Sequence, residues 1–514
     1  MKNRKPIYMI AIAAAATAMF FQNCAGNYNP GAYTNQNSVA MPTPSPTATA
    51  PISATGQNCV IAAGTQWTVG GNTCVSGAAV TIVPGAVGSI TTAATGGLTG
   101  TITYSCSATG APLAQTAQAV CVSTAAQVSV GLGFSCAVKN DGTPECWGVN
   151  ASGELGVGAT STTATLRPAF VSTALKFIKI SSGGSSSCGV TTAGAVYCWG
   201  SNVYGQIGPA IAMTTTTASA PQLVSGLSAA SDVKVGAGFA CALTTAGNVY
   251  CWGDNSAKEL ASPTITTTNI PTLVPGLSGI VSLDVSRGTE LLVYNGIVST
   301  NRACAVNASG SLYCWGFNPT AVLNGVATPT VTLVSGVPAL TSVSVGQQFN
   351  CGVTTAKTVV CWGDQYSGEL GNAVASGAYG TYPAVPYTLA LSNVSEVASG
   401  PAQSCAVYGS GQVACWGANW ISLLTISIGI TGGGGSTSLP TGQLGLDPNV
   451  AANEIVATPH DLGVSGAVHV SVGVEQTCFS SANNVVQCLG YNGNGQLGNG
   501  GVTASYLPVP AVLQ

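Results

Sequence analysis

The chain has 514 residues, of which 12 are Lys or Arg and 15 Asp or Glu; 5% are charged and the net charge is −3, where a soluble globular chain carries about 25%. Long helices and coiled coils, which need charged solvent faces and few glycines, are excluded by that scarcity and by 67 Gly, while 46% apolar content excludes general disorder. Nucleic-acid binding is excluded as well, because the Lys and Arg beyond residue 5 are scattered singly and phosphates need them clustered.

Lys2, Arg4 and Lys5 precede an apolar run from Ile7 to Phe21, the pattern of an export signal too short for the roughly 20 residues that span a bilayer. Gln22-Asn23-Cys24-Ala25-Gly26 follows. Cys24 resembles the lipobox cysteine of bacterial lipoproteins, whose thiol is diacylated and becomes the new N-terminus. The box departs from the usual pattern, with Phe21, Gln22 and Asn23 where Leu and small residues are common, and is similar to Phe-Gln-Asn-Cys boxes in lipoproteins of predatory Gram-negative bacteria. The resemblance implies a signal peptide over 1–23, lipidation at Cys24 and a membrane partner through that lipid. Ala25, in place of the Asp of inner-membrane retention, implies the outer membrane. A cleaved signal with an incidental Cys is the alternative. Residues 24–57 are Asn, Ser, Thr, Ala and Pro, including Met41-Pro-Thr-Pro-Ser-Pro46; they cannot bury enough apolar surface to fold and read as an extended tether. Residues 58–125, with Cys59 and Cys74, Cys106 and Cys121, Trp67 and many Thr, Val and Gly, read as a small disulfide-held β domain.

From residue 126 to 514 the cysteines become regular. Seven sets share one spacing: Cys136 and Cys146, Cys188 and Cys198, Cys241 and Cys251, Cys304 and Cys314, Cys351 and Cys361, Cys405 and Cys415, Cys478 and Cys488. Around each set lies one unit. A strand such as Val128-Ser-Val-Gly131 comes first, then the Cys strand, a turn, and a strand ending Cys-Trp-Gly, as in Tyr197-Cys-Trp-Gly200; the seventh unit has Cys488-Leu-Gly490. A loop of the type Asn492-Gly-Asn-Gly-Gln-Leu-Gly498 and a Pro-led strand such as Ala220-Pro-Gln-Leu-Val224 follow. Successive first cysteines are 52, 53, 63, 47, 54 and 73 residues apart, and a period of roughly 50 built of four short strands predicts propeller blades. The fold class is therefore all-β: a seven-bladed propeller of four-stranded antiparallel blades behind the small β domain.

These elements resemble the regulator of chromosome condensation repeat, whose members fold as seven-bladed propellers. The family commonly has a His two places before the Cys position. Phe134, Ser186, Phe239, Phe349, Gln403 and Gln476 stand there instead, so aromatic packing or amides must replace its hydrogen bonding. Because Leu507-Pro-Val-Pro-Ala-Val-Leu513 ends the chain as a strand left over after the seventh unit, the C-terminal strand is expected to complete the first blade and close the ring.

An odd total of 19 Cys leaves eighteen for pairing once Cys24 is set aside. The paired cysteines flank a hairpin turn symmetrically, which places them opposite one another at near-disulfide distance, in an exported chain where disulfides persist. Free buried thiols are the alternative; zinc would need close pairs such as CxxC, and none occurs. No catalytic constellation is legible and no cofactor or metal is implied. Glu154, Glu259 and Glu369 recur in the loop motif, Asp254 and Asp364 follow Cys-Trp-Gly and read as local loop acceptors, and His460 and His469, in the link to the seventh unit, read as structural. Gly493 to Gly498 matches GxGxxG but belongs to the loop signature.

Two insertions remain. One, with Leu291 and Tyr294, separates the first and second strands of the fourth unit; the other, with Trp420, Ile421, Leu423 and Leu424, separates the third and fourth strands of the sixth. First and third turns emerge on one face of an up-and-down blade, so both should decorate the same rim, as a contact surface or as extra hairpins packed on their own blades. The expected role is a non-catalytic envelope lipoprotein whose propeller binds a protein or glycan through that face. A passive surface protein is the second reading, an envelope hydrolase the third.

Overall fold

The computed structural model describes residues 125–514 apart from 228, 288–290, 294–295, 299–300, 318–327, 376–382, 384, 423–437, 448–453 and 482–484. Ahead of them it gives the backbone of eight strands in two sheets. Ser53–Thr55, Asn58–Ile61 and Val80–Ile82 form one; Gln66–Val69, Asn72–Val75, Val87–Ala94, Leu98–Ser105 and Val120–Ser123 form the other. Cys59 lies on a strand of the first sheet, Cys74 and Cys121 on strands of the second; their proposed pairings, and Cys106, fall outside the described residues.

The rest is a ring of seven four-stranded antiparallel sheets, each with its strands in chain order. Blade one is Ala125–Val130, Phe134–Lys139, Pro144–Asn150 and Ser161–Phe170; blade seven is Ala467–Val472, Gln476–Ser481, Val486–Gly490 and Ser505–Pro510. The first strands of successive blades pack on one another around the axis, and Ala467–Val472 meets Ala125–Val130 to complete the circle. First strands are thus innermost and fourth strands outermost.

The expected strand exchange at closure does not occur. Ser505–Pro510 pairs with the third strand of its own blade, Cys488 opposite Val509, and blade one is completed by Ser161–Phe170, Cys146 opposite Ala169. The Pro-led strand of the first unit is Leu166-Arg-Pro-Ala-Phe170, which leaves no strand over. Closure is instead a packed joint: Val128, Val130, Ala137 and Trp147 of blade one share a core with Cys478, Val486, Cys488 and Leu497 of blade seven. Gln514 then reaches back to blade one. Its amide donates to Glu145 Oε2 at 2.9 Å and its carbonyl accepts from Lys139 Nζ at 2.6 Å. Lys139 and Glu145, 4% and 0% exposed, are themselves paired at 2.9 Å.

Each sheet has two open edges, where unpaired amides would be costly inside and adhesive outside. On the inner edge the preceding blade supplies an acceptor. Ser129 Oγ takes the amide of Ser182 at 2.8 Å, Ser181 Oγ that of Val235 at 3.1 Å, Asp284 Oδ2 that of Val345 at 2.8 Å, Ser344 Oγ that of Ser399 at 2.9 Å and Ser471 Oγ that of Val130 at 3.1 Å. Lys234 and Ala398 hold the same register in the other two blades, opposite Cys241 and Cys405. On the outer edge Pro168, Pro221, Pro271, Pro329, Pro459 and Pro508 lie within the fourth strands, and Pro386 directly precedes Tyr387–Thr388. Proline has no N–H to offer an added strand.

Within every blade the two cysteines are cross-strand neighbours and form a disulfide. Cα–Cα distances are 4.0 to 4.1 Å, and every one of these cysteines is at most 3% exposed. The position two places before the Cys is filled by aromatic packing or an amide in five blades. Phe134, Phe239 and Phe349 are buried over Gly131, Gly236 and Gly346, where a Cβ would lie 2.2 to 2.4 Å from the ring. Gln403 Nε2 donates to Gly473 O at 2.7 Å, and Gln476 Nε2 to Phe134 O at 3.3 Å, each reaching the next blade. Arg302 fills the place in blade four and donates to Gly346 O at 2.9 Å.

Candidate interaction face

The face formed by the first and third turns is built from the loop that follows Cys-Trp-Gly. Its asparagine is the organiser. Asn202 Oδ1 accepts from Ile207 N at 3.0 Å, Asn255 from Leu260 N at 2.8 Å, Asn419 from Leu444 N at 3.0 Å and Asn492 from Leu497 N at 2.9 Å, all from five positions on except in blade six, where the insertion lies between. The asparagine amide group holds the loop's return, as in Asn150 Nδ2 to Ala159 O at 2.8 Å. The loop's apolar residue, Leu155, Ile207, Leu260, Leu444 or Leu497, is wholly buried. The loop ends on a residue of positive φ: Gly156 has φ +66°, and a Cβ there would lie 2.8 Å from Trp199, while blade three takes the same turn with Ala261 at φ +51°.

That tryptophan belongs to the next blade. Trp199 Nε1 donates to Glu154 O at 2.9 Å, Trp252 to Gln206 O at 2.8 Å, Trp315 to Glu259 O at 2.7 Å, Trp416 to Glu369 O at 2.8 Å and Trp147 to Gln496 O at 2.8 Å across the closing joint. The Trp of Cys-Trp-Gly is therefore both core and inter-blade staple. Only its packing role is legible in sequence, because its acceptor lies about 50 residues upstream. Blade seven has Leu489, which cannot donate, at this place.

Both insertions rise from this face. In blade four, Leu291–Val293 pairs antiparallel with Gly296–Val298, Leu291 opposite Val298, between the first strand Ile280–Val285 and the second Arg302–Asn307. In blade six, Trp420–Ser422 pairs with Ser438–Pro440, Trp420 opposite Pro440, between the third strand Gln412–Ala418 and the fourth Ile455–Asp461. Each is a two-stranded ladder separate from its blade's sheet. Leu291, Trp420 and Ile421 are thus on hairpin strands two blades apart on one face; Tyr294, Leu423 and Leu424 lie outside the described residues.

The acidic loop residues are architectural. Glu154, Glu259 and Glu369 are 0%, 0% and 5% exposed, and each takes the amide two residues before it at 2.7 to 2.9 Å. Burial, the largest influence on each, pushes Glu154 and Glu259 up to about 7 and Glu369 up to about 8. Asp254 and Asp364 accept from Ser256 N at 3.1 Å and Gln365 N at 2.8 Å, as local loop acceptors do. His460 is not in the link: it lies on the fourth strand of blade six opposite Cys415, while His469, on the first strand of blade seven, is 3.2 Å from Glu396. Among the described residues no group of three or more His, Cys, Asp and Glu could hold a metal ion.

Models of the regulator of chromosome condensation (RCC1) repeat match residues 177–206, 193–243, 230–257 and 340–369. The chain is 28% identical over 384 residues to the E3 ubiquitin-protein ligase HERC2 of Mus musculus, covering 70% of this chain and 7% of that protein, and 31% identical over 202 residues to the probable E3 ubiquitin-protein ligase HERC6 of Homo sapiens, covering 38% and 19%. It thus spans a small part of those relatives' length. Among solved structures, Prp20p of Saccharomyces cerevisiae superposes with a TM-score of 0.58 at 18% identity, covering 71% of this chain and 85% of that one; human WBSCR16 gives 0.56 at 20% identity, covering 72% and 89%. Together with the ring described above, these matches make the chain a seven-bladed propeller with regulator of chromosome condensation repeats in blades two, three and five.

Proposed function

We propose that the chain is a non-catalytic lipoprotein of the cell envelope, tethered through Cys24, whose propeller binds a protein partner through the face that carries the two hairpins. The observation that carries this reading is topological: both insertions that break the repeat emerge on one face, from a ring whose every described joint is closed by packing and hydrogen bonds. A rigid scaffold bearing variable loops is the usual arrangement of a binding protein. Prp20p, similar in fold, is described as binding Gsp1p and histones, which supports a protein over a glycan as partner without naming it. The buried, locally engaged loop acids weigh against the hydrolase reading.

Full-length protein used as bait on envelope extract is expected to retain a partner that is lost, by ~10-fold or more, when residues 289–300 and 421–439 are deleted together. Undiminished retention by the deleted chain overturns the hairpin face. Absence of any partner favours the passive surface protein, and capture of saccharide alone favours a glycan. Cys24→Ser is expected to move the protein from the membrane fraction to the soluble one; continued membrane association overturns the lipid tether.

A further inference from the structure

First and third turns share the hairpin face, so the first strand of every blade enters the ring from the opposite face. Near that entry one residue of the first strand bulges out of the ladder: Ile178, Ser231, Val281, Thr341 and Val468 in blades two, three, four, five and seven. In blades three and five its hydroxyl is engaged, Ser231 Oγ donating to Leu243 O and Thr341 Oγ1 to Val353 O, both at 3.2 Å, and Ser395 of blade six donates likewise to Val407 O at 3.3 Å. In blades two, four and seven it is a β-branched aliphatic, and Ile178, Val281 and Val468 are 48%, 55% and 40% exposed. Ile178 and Val468 stand on the two strands that pack on either side of Ala125–Val130, the strand by which the chain enters the ring.

What precedes that strand is tied closely to it. Ser123 is paired opposite Leu98 in the second N-terminal sheet and Ala125 opposite Lys139 in blade one, so Thr124 alone joins the two. Two residue steps reach at most about 7 Å, whereas a folded unit the size of residues 53–123 has a radius of gyration of about 11 Å. The unit cannot stand clear of the face it enters. We propose that the N-terminal β domain, whose strands run from Ser53 to Ser123, docks on the face opposite the hairpins, over the entry of blade one, and covers Ile178 and Val468. Residues 6–138 contain no charged residue and no His, so the domain gives up no ionic hydration when the surfaces meet. On the ring side Lys176 and His469 are already paired, with Asp141 at 3.1 Å and Glu396 at 3.2 Å; Lys179, next to Ile178, is only partly buried, and its long stem lets the ammonium stay in water. A consequence for the hairpins rests on the lipid tether proposed above: with the anchor leading into a domain docked on this face, the hairpin face is turned away from the membrane.

Photo-cross-linking in the full chain tests the docking. The photoreactive residue p-benzoylphenylalanine replaces Ile178 or Val468, one at a time, and in a control Val203, which is 52% exposed on the hairpin face; linked peptides are then mapped by mass spectrometry. Intramolecular links into residues 53–123 are expected from positions 178 and 468, and none from 203. Val468→Glu should lower the yield from position 178 by ~10-fold or more, because docking would then bury a carboxylate. No links into residues 53–123, equal links from position 203, or an undiminished yield in Val468→Glu overturns the proposal. Links to a second copy or to lipid alone overturn it as well, and assign the exposed aliphatic residues to a dimer or to the bilayer. The same links are expected in Cys24→Ser, whether or not that chain leaves the membrane, so failure of the lipid tether and failure of docking are read separately.

Discussion

Trp252→Phe separates the hydrogen bond of the inter-blade staple from its packing. Trp252 is 0% exposed and its Nε1 donates to Gln206 O at 2.8 Å; among the described residues no second donor reaches that carbonyl, because the blade-three residue opposite Trp252 is Ala240. Phenylalanine keeps one ring, so the lost volume costs about 1–2 kcal/mol, a fraction of the 3–5 of a full truncation to Ala. The stranded carbonyl adds about 1–3 kcal/mol. Trp147→Phe creates the same kind of cavity at the closing joint, but Gln496 O there still accepts from Ser135 Oγ at 3.0 Å. It should therefore cost about 1–2 kcal/mol in all. Guanidinium unfolding with the disulfides intact, at unchanged m-value, measures both. Equal losses, or a larger loss for Trp147→Phe, refute the staple reasoning.

Glu145→Gln removes the anion beside Lys139, which is 4% exposed, and should cost about 3–5 kcal/mol, while Lys139→Met with Glu145→Leu recovers most of it; melting curves of the single and double variants decide. Hydrogen exchange in Glu145→Gln should rise first in Ala125–Val130 and Ala467–Val472, the strands that meet at closure. Ala398→Ser restores the inner-edge acceptor that Ser129, Ser181, Ser344 and Ser471 provide elsewhere. It should stabilise by ~0.5–1 kcal/mol, seen as slower exchange of the Val472 amide.

Much of the ring was legible because its signals are local. Cysteines ten residues apart around a turn, the alternating strand before them and the Asn-to-Gly loop are contained within one unit, so composition and spacing expose them. Relations between blades were not legible. Trp199 finds its acceptor 45 positions away and Ser129 its amide donor 53 away, and no periodicity distinguishes such bonds from burial alone. The closure error has the same origin. Whether a terminal strand joins the first or last blade depends on counting Pro-led strands, and in Ser161–Phe170, the partner of Pro144–Asn150, the proline lies near the end of ten residues, which masks the pattern. The recurrence of Glu154, Glu259 and Glu369 was visible in the motif, but their burial was not, because only the folded loop encloses them.

Peptide mapping of protein alkylated and digested without reduction tests the central claim, a ring of seven self-contained blades each closed by its own cystine. The account predicts seven linked peptide pairs, each joining cysteines ten residues apart from Cys136–Cys146 to Cys478–Cys488, with none of these fourteen cysteines alkylated. Alkylated thiols at these positions, or cystines joining one blade to another, would contradict it.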